Sequence, residues 1–263
     1  MSESPSPPSE PAAAPPAGRV SLPDSIPYVT YTIVGVTAAV YLAQLASVFL
    51  FGYANGPSQL DWLAAFGAQY NPAIRAGQIW RLLTPVLLHG SIPHIGFNMY
   101  ALVIFGSGLE RHFGRGRFLL LYLLGAFSGN VFSFLFTKDY SIGASTAIFG
   151  LIGAQGVFLY QNRRLFGRQV KSALGNIIFV AAINLLFGAF LLPGIDNWGH
   201  VGGLLGGSIF TWFAGPRWEL EGEYPEMRLA DKREPLAVLT GAAAVILMFG
   251  SLAAFGMVRP LIP

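Results

Sequence analysis

The chain has 263 residues, of which 53% are hydrophobic and only 11% are charged, and its formal net charge is +3. Soluble domains carry about 25% charged residues on average, so this composition excludes an ordinary soluble domain. Cysteine is absent, which excludes a disulfide framework, a thiolate nucleophile and a cysteine-based metal site. The small net charge is accounted for by basic loops and gives no reason to expect a nucleic-acid partner.

The first 24 residues are rich in Pro, Ser and Ala. Such a composition supplies too little apolar surface to offset the entropy of ordering a chain, so we expect residues 1–24 to form a disordered tail. The apolar segment that follows lacks the basic flank of a signal peptide. This favours a transmembrane helix that is retained in the protein.

Seven charge-free segments of at least 20 residues follow the tail. A helix needs about 20 apolar residues to cross a hydrocarbon core of about 30 Å, and backbone amides cannot remain unpaired in lipid. The sequence therefore predicts an all-α, polytopic membrane helical bundle. The segments cover residues 25–60, 82–109, 118–137, 140–162, 172–195, 197–216 and 235–258.

The arginines and lysines between these segments predict the orientation of the bundle. Eleven of them follow the second, fourth and sixth segments, and three lie in the alternate loops. Because positively charged loops remain on the cytoplasmic side, we expect a cytoplasmic amino terminus in a plasma membrane such as a bacterial inner membrane. The eleven are Arg111, Arg115, Arg117, Arg163, Arg164, Arg168, Lys171, Arg217, Arg228, Lys232 and Arg233, and the three are Arg75, Arg81 and Lys138.

The segments also suggest how the chain is divided. Residues 25–216 contain the first six and form the predicted helical core, residues 217–234 form a basic cytoplasmic linker, and residues 235–263 form a seventh helix and a short outer tail. The outer connection over residues 52–92 is unusually rich in Trp, Phe and Leu. Such segments commonly lie in the membrane interface, although an irregular loop without a role is an alternative.

Four polar side chains stand out within the apolar segments, where such groups are costly and are candidates for function. His94 and Asn98 lie one turn apart if the second helix begins at Pro93. Ser145 lies about five residues into the fourth segment, and His200 about four residues into the sixth. All three segments start outside, so at about 1.5 Å per residue we expect these side chains in one layer roughly 6 to 8 Å below the outer surface.

This set of residue types suits acyl transfer. A serine hydroxyl is a weak nucleophile until a base within about 3 Å accepts its proton, and an imidazole is a suitable base near neutral pH. Ser145 is the candidate nucleophile and His200 the candidate general base. Asp196 could reach the imidazole, but it is expected in the outer loop, so a dyad is favoured over a triad.

The remaining polar groups suit an oxyanion hole. The backbone N–H of Ser145 is expected near a helix amino terminus, where such groups lack intrahelical partners. His94 and Asn98 offer side-chain donors to the same developing charge. Gly143 would allow a tight turn before the nucleophile, and Phe149, one turn after it, is expected to pack against the imidazole of the base.

These residues lie within a longer series of motifs. In the order of the chain, from about Trp80 to Gly207, the sequence resembles the rhomboid family of intramembrane serine proteases. The motifs are Trp80-Arg81, His94 with Asn98, Glu110-Arg111 with Gly114, Gly143-Ala144-Ser145-Thr146, and Gly199-His200-Val201-Gly202-Gly203 with Gly207.

The resemblance implies a six-helix core with one additional carboxyl-terminal helix. It also implies a Ser145–His200 dyad without cofactor or metal, and transmembrane protein substrates that enter laterally past the outer loop and the fifth segment. Gly203 and Gly207 are expected to let the sixth helix approach the fourth closely. The sequence departs from the family at Thr146, where glycine is common, and a β-branched side chain there could narrow the oxyanion region or alter specificity.

Other interpretations are open at this stage. A serine in a membrane helix is usually a packing residue, and the candidate histidines could simply bond between helices. A non-catalytic relative that binds membrane proteins is the main alternative function, and a transporter with a histidine proton relay is another. The sequence has no His-Glu-x-x-His motif and no nucleotide-binding glycine loop.

Four further residues are expected to have structural roles. His89, in the predicted outer loop, and His112, in a basic inner loop, are expected to be structural or solvated. Arg81 and Glu110 are expected to orient loops through hydrogen bonds.

Overall fold

The computed structural model describes residues 25–54, 59–138, 140–190, 194–223 and 227–259; the predicted tail over residues 1–24 lies outside these ranges, as do residues 260–263. Within them the chain forms ten α-helices, two short 3₁₀-helices and one antiparallel hairpin. The elements are α1 (Tyr28–Phe51), α2 (Trp62–Gly67), α3 (Asn71–Arg75), η1 (Ile79–Leu82), η2 (Thr84–Leu87), α4 (Ile92–Phe113), α5 (Arg115–Phe136), α6 (Ser145–Gln161), α7 (Arg163–Phe166), α8 (Gln169–Phe190), α9 (Asn197–Ala214), β1 (Trp218–Glu221), β2 (Arg228–Asp231) and α10 (Pro235–Val258).

The predicted all-α polytopic bundle is confirmed. In the described part of the chain, α1, α4, α5, α8 and α10 are long and apolar enough to cross a membrane. The shorter α6 and α9, of 17 and 18 residues, are the most enclosed together with α5 and form the centre of the bundle. The first segment, predicted over residues 25–60, ends as a helix at Phe51, and α6 begins at residue 145 instead of near residue 140.

The central helices α6 and α9 approach closely because glycines line their contact. A Cβ atom added at Gly203 would collide with the backbone carbonyl of Thr146, and one added at Gly207 would collide with that of Gly150. Gly202 and Gly206, each one residue before these glycines, lie equally close to α5. Small residues are the usual means by which membrane helices pack at short distance, and here they fix the depth and rotation of α9.

We expect Gly207→Ala to lower the free energy of unfolding by about 1–3 kcal/mol, because the added methyl group forces α9 away from the backbone of α6. Gly250→Ala on α10 is the matched control, since no atom lies within 4 Å of a Cβ placed there. Reversible denaturation in micelles measures both variants. Equal stability of the two would show that the α6–α9 contact tolerates expansion.

Glu110 anchors the start of α1, near the predicted cytoplasmic end of the bundle. Its carboxylate is buried and accepts hydrogen bonds from the backbone N–H of Val29 at 2.8 Å and from the N–H and hydroxyl of Thr30 at 2.7 and 2.8 Å. Pro27 at the cap of α1 provides no side-chain bond. A negative charge beneath the amino terminus of a helix is favourable, so Glu110 caps α1 from α4.

The apolar connection between α1 and α4 is folded. Arg81 is buried and donates to the backbone carbonyls of Ala68 at 2.7 Å and Ala65 at 2.8 Å, while Trp80 stacks on Phe66 with ring centroids 5.5 Å apart. Asn130 of α5 donates to a carbonyl of this connection at 3.1 Å. The described part of the connection, residues 52–54 and 59–91, is therefore a structured cap on one end of the bundle, which we call the outer cap after its predicted side.

The linker and the last helix are also tied to the bundle. Within the predicted linker, β1 and β2 form a hairpin that the sequence did not predict, and Arg117 at the start of α5 binds Asp231 of β2 at 2.6 Å. At the other end, Arg259 after α10 donates to the carbonyl of Leu135 at 3.0 Å and accepts from Arg75 of the outer cap at 2.8 Å. The seventh helix thus contacts both the core and the outer cap.

Candidate active site

Ser145 and His200 meet at the outer-cap end of the bundle. Ser145 is the first residue of α6 and His200 the fourth residue of α9, and the Oγ atom of the serine lies 2.9 Å from Nε2 of the histidine. The expectation that the serine lies five residues into its helix was wrong: residues 140–144 form a turn, and the helix begins at the serine itself. Its backbone N–H therefore has no intrahelical acceptor.

The ring of His200 is held by packing. Phe149, one turn after the serine on α6, stacks on it with ring centroids 4.1 Å apart and planes within 6° of parallel. Among the described residues no hydrogen-bond partner reaches Nδ1 of the histidine. Asp196 instead caps α9 by accepting from the N–H of Gly199 at 2.9 Å, and it also accepts from the hydroxyl of Thr137 at 2.8 Å.

His94 and Asn98 lie against the turn that precedes the serine. The side chain of Ser91 caps α4 by accepting from the N–H of His94 at 3.3 Å, and Asn98 donates one of its amide hydrogens to the carbonyl of His94 at 3.1 Å. α4 starts at Ile92, one residue before the expected position. Asn98 is buried, so its second amide hydrogen is held in a confined space.

Gly143 brings the turn into contact with α4. Its φ angle is +127°, a conformation that side chains disfavour. A Cβ atom there would lie 2.6 Å from Nε2 of His94 and 3.7 Å from Nδ2 of Asn98. The absence of a side chain at Gly143 therefore allows the imidazole of His94 to lie directly against the turn that precedes Ser145.

The turn itself is supported by the outer cap. The N–H of Gly143 donates to the carbonyl of Pro85 at 2.9 Å, and Gln69 and Ser141 exchange two backbone hydrogen bonds. Residues 140–144 thus have partners on the outer cap as well as on α6. The position of the serine depends on a segment far from it in sequence.

His89 belongs to this support; its sequence predicted a structural or solvated residue, but not a contact with the turn before Ser145. Its ring is buried, its Nε2 accepts from the N–H of Ala144 at 3.4 Å, and it meets the ring of His94 edge to face at 5.0 Å. Burial in the loop before α4, with a smaller effect of His94, lowers the pKa of His89, so the ring is neutral and can accept this bond. Gln44 of α1 binds both backbone groups of His89. The sequence around His89 resembles an outer loop and has no helical or strand periodicity, so it did not predict these contacts.

Thr146 is directed away from this turn. Its side chain is buried against Gly129 of α5 and Gly199 of α9, where a Cβ added to either glycine would lie 2.6 to 3.0 Å from it. The β-branched residue thus fills a crevice between α5 and α9. Its contacts give no indication that it narrows the space beside His94.

The fold and the site together define an integral multi-pass membrane protein with a serine–histidine pair on its two central helices. A sequence profile described as the Rhomboid domain matches residues 76–217, more than half of the chain. The chain belongs to the rhomboid family, and the resemblance seen in its motifs is confirmed.

Several curated proteins are similar to this chain. It is 45% identical to "Rhomboid protease GluP" of Bacillus subtilis over 164 residues, which cover 62% of this chain and 32% of that protein. It is 41% identical to "RHOMBOID-like protein 6, mitochondrial" of Arabidopsis thaliana over 154 residues, which cover 58% of this chain and 49% of that protein. It is 40% identical to "Rhomboid-like protease 1" of Toxoplasma gondii over 149 residues, which cover 55% of this chain and 50% of that protein. The chain spans about a third to a half of the length of these relatives.

We expect Gly143→Ala to lower the free energy of unfolding by about 1–3 kcal/mol, because alanine is strained at this φ angle and its methyl group displaces the ring of His94. Amide hydrogen exchange over residues 141–146 should accelerate in parallel. The control is Gly96→Ala on the same helix as His94, where nothing lies within 4 Å of the added Cβ. Unchanged exchange in the Gly143 variant would contradict the contact described above.

Proposed function

We propose that this protein is an intramembrane serine endopeptidase that hydrolyses peptide bonds in or near the transmembrane segments of membrane proteins. The observation that supports it most is the 2.9 Å separation of Ser145 Oγ and His200 Nε2, two side chains from different helices and 55 residues apart in sequence. A hydroxyl within hydrogen-bond reach of an imidazole is the arrangement that nucleophilic catalysis requires.

In the proposed reaction, Nε2 of His200 accepts the hydroxyl proton of Ser145 as Oγ attacks the substrate carbonyl carbon. The imidazolium then gives this proton to the leaving amine as the peptide C–N bond breaks, which leaves an acyl-serine. Water, deprotonated by the same imidazole, attacks the ester, and the serine regains its proton. No cofactor or metal ion enters this scheme.

The negative charge on the tetrahedral oxygen needs donors fixed in advance. The N–H of Ser145, at the first position of α6, is one candidate, and the imidazole of His94 and the second amide hydrogen of Asn98 are the others. Their common contact with the turn at Gly143 supports this assignment. In this proposal Phe149 keeps the imidazole of His200 in the plane in which Nε2 meets the serine.

The substrate and the membrane are part of the same proposal. The excess of arginine and lysine at the end opposite the dyad supports a cytoplasmic amino terminus and a site near the outer face of a plasma membrane. Along α8 only Val170 and Ala181 are buried in the described structure. A helix so loosely packed supports the family-based expectation that transmembrane substrates enter beside it.

Labelling with a fluorophosphonate, which reacts with activated serines, tests the proposal without a known substrate. We expect an adduct on Ser145 that is lost in Ser145→Ala. In His200→Ala the labelling rate should fall at least about a thousandfold, because no base then accepts the hydroxyl proton. Ser251→Ala, which removes an exposed hydroxyl on α10, is the matched control.

Cleavage of a transmembrane reporter protein in liposomes should follow the same pattern in these variants. Proteolysis that survives in Ser145→Ala would overturn the assignment of the nucleophile. A folded protein that neither labels nor cleaves would favour the alternative, a non-catalytic rhomboid-like protein that binds membrane proteins.

A further inference from the structure

A cavity of about 610 Å³ lies at the end of the bundle opposite the serine–histidine pair. The carboxyl-terminal ends of α6 and α9, the short α7 and the strand β1 surround it. Since α6 has 17 residues at about 1.5 Å each, the cavity is separated from Ser145 by about 25 Å along the helix. It is therefore distinct from the candidate active site.

The lining of this cavity is basic. Three of its lining residues are basic, Arg163, Arg164 and Arg217, and one is acidic, Glu219. Two acidic side chains of the strands are paired elsewhere: Glu221 with Lys232 and Arg228, and Asp231 with Arg117. A concave surface whose lining has two excess positive charges favours an anion.

The three arginines that line the cavity differ in the contacts that their side chains make within the protein. Arg163 donates to the carbonyl of Tyr160 at 3.0 Å, and its guanidinium lies 4.6 Å from the centre of the Tyr160 ring. Within the described residues, no side-chain hydrogen bond or ion pair involves the guanidinium of Arg164 or Arg217. Both side chains are exposed at the cavity, so their planar donor groups are available for the two-point recognition of a phosphate.

An apolar wall adjoins the basic one. Tyr160 and Trp212 line the cavity, stack with ring centroids 6.4 Å apart, and are about half exposed on the flank of the bundle. Tyrosine and tryptophan at the end of a membrane helix are typical of the level of the lipid headgroups. A molecule bound here would meet guanidinium groups at one end and an aromatic, membrane-facing surface at the other.

We propose that this cavity binds the phosphate-containing headgroup of an anionic phospholipid from the leaflet on the predicted cytoplasmic side. Basic pockets between helices at this level are suited to such headgroups. The phosphate diester receives hydrogen bonds from Arg164 and Arg217, and the acyl chains leave past Tyr160 and Trp212 into the bilayer. The proposal is independent of the chemistry at Ser145.

Native mass spectrometry of the full chain, titrated in micelles with phosphatidylglycerol or phosphatidylcholine, tests this inference. We expect phosphatidylglycerol to bind at least about tenfold more tightly than the zwitterionic lipid, and the variant Arg164→Gln/Arg217→Gln to lose that preference, because two charge-assisted bonds are removed. The matched control is Arg168→Gln/Lys171→Gln, which removes two exposed positive charges on the same side of the bundle but outside the cavity.

Four outcomes separate the possibilities. Loss of the preference in the cavity variant alone supports the site. Equal loss in both variants overturns it in favour of general surface charge, and so does an absence of preference in the unaltered protein. Inorganic phosphate that displaces phosphatidylglycerol at equal concentration would make a free phosphate the ligand and would overturn the lipid assignment.

Folding of the cavity variant is checked with Arg164→Lys/Arg217→Lys. This variant keeps both charges but removes the planar donor pairs. We expect binding between that of the unaltered protein and that of the glutamine variant, at an unchanged thermal midpoint. Binding as weak as in the glutamine variant would also support recognition by the guanidinium groups, whereas undiminished binding in the glutamine variant would overturn their role.

Discussion

The close approach of α9 to α6 is the constraint on which the site depends. A hydroxyl on one helix reaches an imidazole on another only if the two backbones come nearer than ordinary side chains permit. Gly203 and Gly207 remove the obstacle, since any Cβ there would enter the space of a carbonyl group on α6. The same helix uses glycines toward α5, so its rotation is determined from two sides. The glycine stretch after His200 is thus part of the geometry of the pair.

The second requirement is a correctly placed start for α6. Because α6 begins at Ser145, the N–H of this residue has no intrahelical acceptor, and the preceding turn needs partners outside the helix. Those partners come from the outer cap: a carbonyl at Pro85, the ring of His89 and the backbone of Gln69. Gly143 completes the arrangement by allowing α4 to touch the turn. The outer cap therefore holds the turn before Ser145 in place and is part of the structure of the site.

Much of this could be predicted from the sequence because membrane burial leaves a strong signal. Charge-free segments indicated the bundle, and polar residues at one level of it singled out Ser145 and His200, which the structure brings together. The bounds of α6 could not be predicted, since residues 140–144 are as free of charge as the helix that follows.

The contact of His89 with the turn before Ser145 could not be predicted for a related reason. Its environment is created by segments distant in sequence, and no local pattern encodes a contact between a loop and a turn 55 residues away. The hairpin formed by Trp218–Glu221 and Arg228–Asp231 could not be predicted because each strand has only four residues, too few for a clear alternating pattern.

The seventh helix has a mechanical consequence that its plain apolar sequence does not suggest. Arg259, the residue directly after it, joins the end of α5 to Arg75 of α3 by two hydrogen bonds, while buried Val245 and Phe249 hold the helix to the core. The outer end of α10 is therefore attached to α5 and to the outer cap at a single point, so a chain shortened before Arg259 would leave Arg75 without this acceptor.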